Sequence, residues 1–196
     1  MRNKFTTLHS TVVPLPIENI DTDQIIPARF LKATTREGFG ENLFRDWRYD
    51  KDGTPKADFV MNSPLYRGQV LVAGKNFGCG SSREHAAWAI DGAGFRAVVS
   101  SHFADIFRNN ALNNGLLPVV VSEQMLSAIF RAVEADPKAE LLIDLPEQTI
   151  ELVGSDFKES FEIAPYKKQC LINGYDDVDF LVSIRSEIEA FEQNKE

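Results

Sequence analysis

The middle third of this chain has the most regular pattern of hydrophobic and polar positions. Between residues 69 and 135, short apolar runs alternate with segments whose apolar residues recur every three or four positions. The short runs predict strands at residues 69–73, 96–100 and 116–121. The helical spacing predicts helices at residues 83–91, 103–110 and 123–135. Such alternation is typical of βαβ units, so the sequence predicts an α/β protein with a mainly parallel central sheet and flanking helices.

The two ends of the chain have simpler patterns. Residues 6–13 form a β-rich run that Pro14 and Pro16 close, which predicts a first strand followed by a rigid turn. Toward the other end, turn-forming residues separate three runs that predict additional strands at residues 140–145, 149–153 and 157–163. Six residues then follow helical spacing: Val178, Leu181, Val182, Arg185, Ile188 and Phe191. They predict one closing amphipathic helix.

Residues 34–67 have no clear period. They follow several cap-forming side chains at residues 19–24 and a brief predicted helix at residues 28–33. Five aromatic residues lie among their glycines and charges: Phe39, Phe44, Trp47, Tyr49 and Phe59. We expect residues 1–196 to form a single domain with this segment as an irregular excursion, whose exposed aromatic residues become ordered against a partner chain.

Composition and charge narrow the class of protein. A hydrophobic content of 43% and a charged content of 26% are typical of a globular domain. The formal charge of -8 and the absence of a dense basic cluster argue against nucleic-acid binding. No apolar run approaches the roughly 20 residues of a membrane span, and no secretory signal is recognisable. Two cysteines are too few for a disulfide framework, so we expect a cytoplasmic protein.

The candidate chemistry lies at residues 74–88, GKNFGCGSSREHAAW, between a predicted strand and a predicted helix. Ligands bind at such junctions in open α/β sheets. Ser81 and Glu84 have the S-x-x-E spacing of a capping box, which predicts Ser81 as the N-cap. The helix dipole would then favour an anion near Ser81 and Ser82 and, with the Arg83 guanidinium, would stabilise a serine alkoxide. A cation such as Arg83 in a first helical turn indicates a bound anion or an acidic neighbour.

Simpler interpretations of this loop remain open. A glycine-serine loop that enters a helix is often only a cap, and an exposed arginine is often only a solvated one. The loop lacks the Walker pattern and the G-x-G-x-x-G register, and we expect His85 to be a structural helix residue. Cys79 and Cys170 alone are too few to hold an iron-sulfur cluster, and the histidines lack zinc-type spacing. Any metal would have to come from a partner.

Residues 78–86, GCGSSREHA, closely resemble the signature of the swivelling domain of the aconitase superfamily. Four further blocks resemble the small subunits of bacterial 3-isopropylmalate dehydratases: NIDTDQIIPARFL at 19–31, DWRYD at 46–50, SHFADIFRNN at 101–110 and NGLLP at 114–118. The resemblance implies a β/β/α swivelling-domain fold and a heterodimer with a large subunit that carries a 4Fe-4S cluster. It also implies a hydro-lyase of leucine biosynthesis that interconverts 2-isopropylmalate and 3-isopropylmalate through an alkene.

The resemblance also assigns roles to individual residues. Ser81 matches the general base that removes and returns the carbon-bound proton, while the partner's unligated iron takes the hydroxyl. Ser82 and Arg83 match positions that bind substrate carboxylate and support the alkoxide. Phe30 and Leu31 lie in the loop that resembles the family's substrate-selecting loop, where an isopropyl group needs an apolar pocket. For any single residue, a simpler interpretation is an amphipathic turn that packs both side chains inward.

Two alternative functions remain at this point. The chain could belong to a related hydro-lyase for citraconate and 2-methylmalate or for homoaconitate, because a pocket that differs by a few methylenes discriminates by only ~1–3 kcal/mol. From a different class, it could be a non-catalytic module whose Ser81 loop binds an anion at a helix N-terminus. Under the 3-isopropylmalate function, the substrate is a small dicarboxylate.

Overall fold

A computed structural model describes residues 3–193, and its centre is one seven-stranded mixed sheet with the strand order β4-β3-β2-β1-β5-β6-β7. The strands are β1 (Thr7–Leu15), β2 (Val70–Ala73), β3 (Ala97–Ser100), β4 (Leu117–Val120), β5 (Glu140–Asp144), β6 (Thr149–Leu152) and β7 (Lys158–Ser160). Strands β1 to β4 are parallel to one another, and β5 to β7 continue the sheet in antiparallel pairs. The predicted α/β class and the additional C-terminal strands are thus both present.

The helices connect or cover these strands. They are α1 (Thr22–Ile25), α2 (Arg45–Arg48), α3 (Glu84–Gly92), α4 (Asp105–Asn113), α5 (Glu123–Ala135), α6 (Pro165–Asn173), α7 (Asp177–Ser183) and α8 (Arg185–Gln193). Short 3-10 turns occur at Ala28–Phe30, Phe39–Asn42 and Val60–Asn62. The alternation predicted for the middle of the chain is therefore realised as β2-α3-β3-α4-β4-α5. Within residues 3–193, no helix has the length and apolarity to span a membrane.

Strand β1 joins the parallel and antiparallel halves of the sheet. Its first half, from Thr7 to Thr11, pairs with β5, and its second half, from Val12 to Leu15, pairs with β2. The sequence predicted that Pro14 would close the first strand, but Pro14 lies inside β1. The position tolerates a residue without an N–H because β5 no longer flanks this half of the strand.

The sheet is covered on both faces, which explains the continuous apolar runs of its parallel strands. Alternate residues of β2 belong to different cores: Val70 and Val72 pack on the α5 side, whereas Leu71 and Ala73 pack toward α3 and α4. All four residues of β2 are buried. Burial on two faces requires apolar side chains at successive positions, whereas β5 alternates buried and half-buried residues.

The aromatic residues of 34–67 pack on the chain's own core, so the expectation that they are exposed is wrong. Phe39 and Phe44 are buried, and Trp47 and Phe59 pack against the same core cluster. The rings of Phe44 and Trp47 stack with centroids 5.4 Å apart. Covering this face of the sheet gives the irregular segment an intrachain role. Its further ordering by a partner stays a prediction.

The single closing helix predicted from the sequence is wrong. Two helices, α7 and α8, occupy this region, and α6 precedes them where no helix was predicted. The apolar stripe also points to solvent, because Val178, Leu181 and Val182 are all exposed. Helical spacing therefore identified the helical region correctly, whereas the burial of its apolar face did not follow.

Candidate active site

The glycine-serine loop follows the carboxyl end of β2, at the edge of the sheet where open α/β proteins bind ligands. Ser81 and Ser82 are exposed, and the Ser81 hydroxyl makes no hydrogen bond within residues 3–193. Helix α3 begins at Glu84 with Arg83 as its N-cap, and no side chain caps it. The predicted Ser81 capping box is therefore wrong. The serine oxygen stays at the surface, two residues before the N-cap and near the positive end of the helix dipole.

A second loop holds the serine loop in place through backbone hydrogen bonds. The amides of Gly78 and Cys79 donate to the carbonyl of Ile20, at 2.8 and 3.2 Å. The amide of Thr22 donates in return to the carbonyl of Cys79, at 2.9 Å. This pairing across nearly sixty residues of sequence gives the loop a strand-like support. Arg83 has an extended backbone, and helix α3 begins only at Glu84.

Two side-chain contacts complete this junction of the loops. The Thr22 hydroxyl donates to the Ser81 carbonyl at 2.9 Å, which fixes the backbone of the candidate base. The Asn76 side-chain amide donates to the Asn19 side-chain carbonyl at 2.8 Å, and both residues have positive φ angles. Asparagine tolerates the left-handed region better than most residues. The capping box in this site belongs to Asp21 and Gln24 at the start of α1.

Gly78 allows the loop to lie directly on the core. Its φ is +77°, and a Cβ at this position would lie 2.3 Å from Cγ of Phe107. Phe107 is buried in α4 and packs edge-on against the ring of Phe77, with centroids 5.1 Å apart. A side chain at residue 78 would therefore displace either the loop or the aromatic core beneath it.

Arg83 forms an ion pair with Asp23 of α1. Its Nη2 lies 2.7 Å from Oδ2 of Asp23, and its Nη1 donates to Oδ1 of the same carboxylate. A longer contact of 3.4 Å joins Nη1 to the carbonyl of Ile26. The sequence predicted either a bound anion or an acidic neighbour for this arginine, and the acidic neighbour is present. The two parallel contacts fix the plane of the guanidinium.

Helix α3 is anchored along its length by polar contacts to two other segments, at Ala33 and at Asn114. His85 Nε2 lies 3.1 Å from the carbonyl of Ala33, consistent with the structural role expected for this histidine. The Trp88 indole donates to Oδ1 of buried Asn114 at 3.0 Å. The amide of Asn114 donates in turn to Glu84 at 3.1 Å. These contacts fix the helix whose first turn adjoins the serines.

Phe30 and Leu31 follow α1 and are partly buried against the core cluster beneath it. Phe30 lines a cleft of about 780 Å³ together with charged residues of the excursion. Arg29 lies over the Phe30 ring at 4.7 Å and forms an ion pair with Asp46. The hydrogen bond from Arg29 lowers the pKa of the Asp46 carboxyl below its usual value. Most residues that line this cleft are charged, and neither Leu31 nor the serine loop is among them. An apolar pocket for substrate at Phe30 and Leu31 therefore stays a prediction.

The described residues do not fit an iron-sulfur cluster. Residues 3–193 contain no group of three or more His, Cys, Asp or Glu side chains arranged to hold a metal. The Cys79 thiol lies 3.4 Å from the carbonyl of Asn19, and Cys170 is buried in α6. A cluster needs three or four convergent thiolates, which these two cysteines do not provide.

The structure thus places Ser81, Ser82 and Arg83 together at one edge of the sheet, with Asp23 and Thr22 beside them. Sequence reasoning missed the roles of Asp23 and Thr22. Their segment was noted for its cap-forming side chains and its resemblance to a family block, but neither signal indicated a contact with the serine loop. Phe30 and Leu31 lie a few residues beyond the Ile26 carbonyl that Arg83 reaches.

The fold and the serine loop define an α/β domain of the aconitase type. Residues 2–124 match the family described as the aconitase C-terminal domain, and residues 127–165 match the family described as LeuD_N. Over 97% of its length, the chain is 72% identical to the 3-isopropylmalate dehydratase small subunit of Cytophaga hutchinsonii, and the match covers 94% of that protein. The corresponding protein of Christiangramia forsetii is 64% identical over 98% of this chain and 94% of that protein.

The solved structures agree with the sequence matches. A crystal structure of 3-isopropylmalate dehydratase (LeuD) from Methanocaldococcus jannaschii superposes with a TM-score of 0.66 and 27% identity. The alignment covers 95% of this chain and 99% of the archaeal one. The chain therefore belongs to the family of 3-isopropylmalate dehydratase small subunits.

Proposed function

We propose that the chain is the small subunit of the hydro-lyase that interconverts 2-isopropylmalate and 3-isopropylmalate through 2-isopropylmaleate in leucine biosynthesis. The observation that carries this proposal is the exposed Ser81 hydroxyl at the carboxyl edge of the sheet, on a loop fixed by Ile20 and Thr22. The proposed setting is the cytoplasm, which suits two cysteines that are not joined by a disulfide.

In the proposed reaction, Ser81 acts as the base. Its oxygen takes the proton from one substrate carbon as the neighbouring carbon loses its hydroxyl, and it returns a proton when water adds back to the alkene. A serine hydroxyl is a weak acid, so its alkoxide needs electrostatic support. The start of α3 and the Arg83 guanidinium supply positive potential close to this loop.

Ser82 and Arg83 bind substrate carboxylate in this proposal. Nη1 and Nη2 of Arg83 already donate to Asp23, so a substrate carboxylate would bind through the remaining N–H groups of the guanidinium or would displace Asp23. Phe30 and Leu31 contribute the apolar surface for the isopropyl group. A pocket that differs by a few methylenes discriminates by only ~1–3 kcal/mol, but the names of the relatives favour 3-isopropylmalate over 2-methylmalate and homoaconitate.

The 4Fe-4S cluster, which supplies the Lewis acid for this chemistry, is proposed to lie in a separate large subunit. The residues of this chain do not fit it, because two separated cysteines provide too few ligands. The substrate would lie between the two subunits. Neither subunit is therefore expected to turn over substrate alone.

The Ser81→Ala variant tests the proposal. In complex with the large subunit, we expect kcat to fall by about 10³-fold or more, because a general base is removed, while KM and the thermal midpoint stay near the wild-type values. Ser160→Ala, at an exposed position of β7, is the matched control and keeps full activity. If Ser81→Ala retains turnover, a non-catalytic anion-binding loop is the better explanation.

A further inference from the structure

Helix α7 presents a group of large hydrophobic side chains to solvent. Val178, Leu181 and Val182 are 68%, 54% and 67% exposed. Their spacing of i, i+3 and i+4 places them on one side of the helix, which we call the α7 face. Ile188 of α8 is also exposed, and none of the described residues of α7 and α8 is buried.

The orientation of α7 is defined by contacts on α6. The ring of Phe180 packs edge-on against Tyr166, with centroids 4.4 Å apart. The Tyr166 hydroxyl donates to Asp177 at the start of the helix. The Asp176 side chain caps the helix by accepting from the amide of Asp179 at 2.8 Å. The helix is therefore formed and attached, with the α7 face left outward.

Such a face is unusual for a chain that functions alone. A single exposed leucine or valine is ordinary, but three adjacent ones on a helix with amphipathic spacing form a patch of the kind that marks an interaction site. Both core clusters of the chain are complete without these residues. Any burial of the α7 face would therefore come from contact with another molecule.

The charge of the segment indicates which molecule fits. Residues 176–193 contain six carboxylates and a single arginine, Arg185, in a chain whose net charge is -8. Among the described residues, Asp177 forms an ion pair with Lys167, and Glu189 forms one with Arg185. Two copies of the chain docked through the α7 face would bring these carboxylates together, which is unfavourable. A basic and partly apolar surface is the complementary partner.

We propose that the α7 face docks on the large subunit, against an apolar patch bordered by lysine or arginine side chains. This inference rests on the proposed function, because that function requires a second subunit. It adds an anchoring surface formed by α7 and Ile188 of α8, separate in sequence from the serine loop. Association through such a surface weakens as salt is added, since part of the attraction is between charges.

The affinity of the full small subunit for the purified large subunit, measured by isothermal titration calorimetry, tests this inference. The double variant Leu181→Ser/Val182→Ser should raise Kd by about 10- to 100-fold, because two apolar side chains no longer contribute to burial. Its thermal midpoint should match the wild type, since both side chains are exposed. The control Val153→Ser, at an exposed apolar position after β6, should leave Kd within about twofold.

Charge reversal provides a second measurement. Glu187→Lys should raise Kd at low salt, and it should raise Kd by a smaller factor at 0.5 M NaCl. The control Glu147→Lys, in the turn after β5, should leave Kd unchanged at both salt concentrations. An unchanged Kd for Leu181→Ser/Val182→Ser overturns the inference. It is equally overturned if the isolated chain dimerises in sedimentation and this variant abolishes the dimer without altering affinity for the large subunit.

Turnover separates this inference from the proposed function. If the wild-type complex is active on 3-isopropylmalate and the variant has an unchanged Kd, only the proposed docking surface is wrong. If the wild-type complex is inactive and the variant still loses affinity, only the catalytic proposal is wrong.

Discussion

Asp23 and Arg83 form a two-pronged ion pair across sixty residues of sequence. The arginine side chain is only 12% exposed, whereas the carboxylate is 56% exposed and lies on the solvent side. The guanidinium is therefore held in one plane before any ligand arrives. If Arg83 binds substrate carboxylate as proposed, it does so with an orientation that Asp23 has already set.

Arg83→Lys should separate substrate binding from stability. A lysine keeps the charge but loses the planar fork, so we expect kcat/KM of the complex to fall by about 10²-fold. The thermal midpoint should fall only modestly, because the lysine keeps a positive charge beside the largely solvated Asp23 carboxylate, although the site at residue 83 is only 12% exposed. Arg96→Lys, whose native guanidinium contacts the Lys4 carbonyl, is the control. A large loss of stability without a kinetic effect would assign Arg83 a structural role only.

Gly78→Ala should destabilise the protein more than Gly154→Ala does. Both glycines have positive φ angles, of +77° and +79°, so both variants carry the backbone strain of about 1 kcal/mol. Only at Gly78 does the added Cβ overlap with Phe107. We expect a loss of about 2–4 kcal/mol in urea denaturation for Gly78→Ala and about 1 kcal/mol for Gly154→Ala. Equal losses would contradict the close packing of loop on core.

Leu31→Ala should alter the choice of substrate. If Leu31 contacts the isopropyl group, its truncation lowers kcat/KM for 3-isopropylmalate by about 10-fold and changes the value for 2-methylmalate much less. Assays of the reconstituted complex on both acids measure the ratio. Val153→Ala, far along the chain at an exposed position, should leave the ratio unchanged. A uniform decrease for both acids would indicate that Leu31 acts through packing alone.

Limited proteolysis tests whether residues 34–67 become ordered further by a partner. Lys51 is exposed in the turn that follows α2, so trypsin should cleave there in the isolated chain and more slowly in the complex. Lys138, in the exposed turn after α5, should be cleaved equally in both. Because the aromatic residues already pack on the chain's core, we expect the partner to protect the turn at Lys51 from trypsin more than it protects the rest of residues 34–67. Identical rates at Lys51 would remove the prediction.

Much of the fold was determined by local sequence pattern. The helix predicted at residues 123–135 coincides with α5, and the strands and helices before it are each found within a few residues of their predicted bounds. Apolar periodicity predicts these elements correctly because each element buries one or both of its faces. Such burial leaves a repeating pattern of apolar residues within the element's own stretch of sequence. The sequence also indicated the serine loop as the candidate site, through its glycines, its hydroxyl groups and its family resemblance.

Tertiary structure decided the rest. The S-x-x-E spacing predicted that Ser81 caps α3, yet the loop pairs with Ile20 and Thr22, and the helix begins only after an extended Arg83. A local capping preference of about 1 kcal/mol was outweighed by several hydrogen bonds from a distant segment. Likewise, the spacing of Val178, Leu181 and Val182 fixed a helix but not what covers it. Sequence periodicity specifies which side of an element is apolar, whereas the path of the whole chain determines what that side meets.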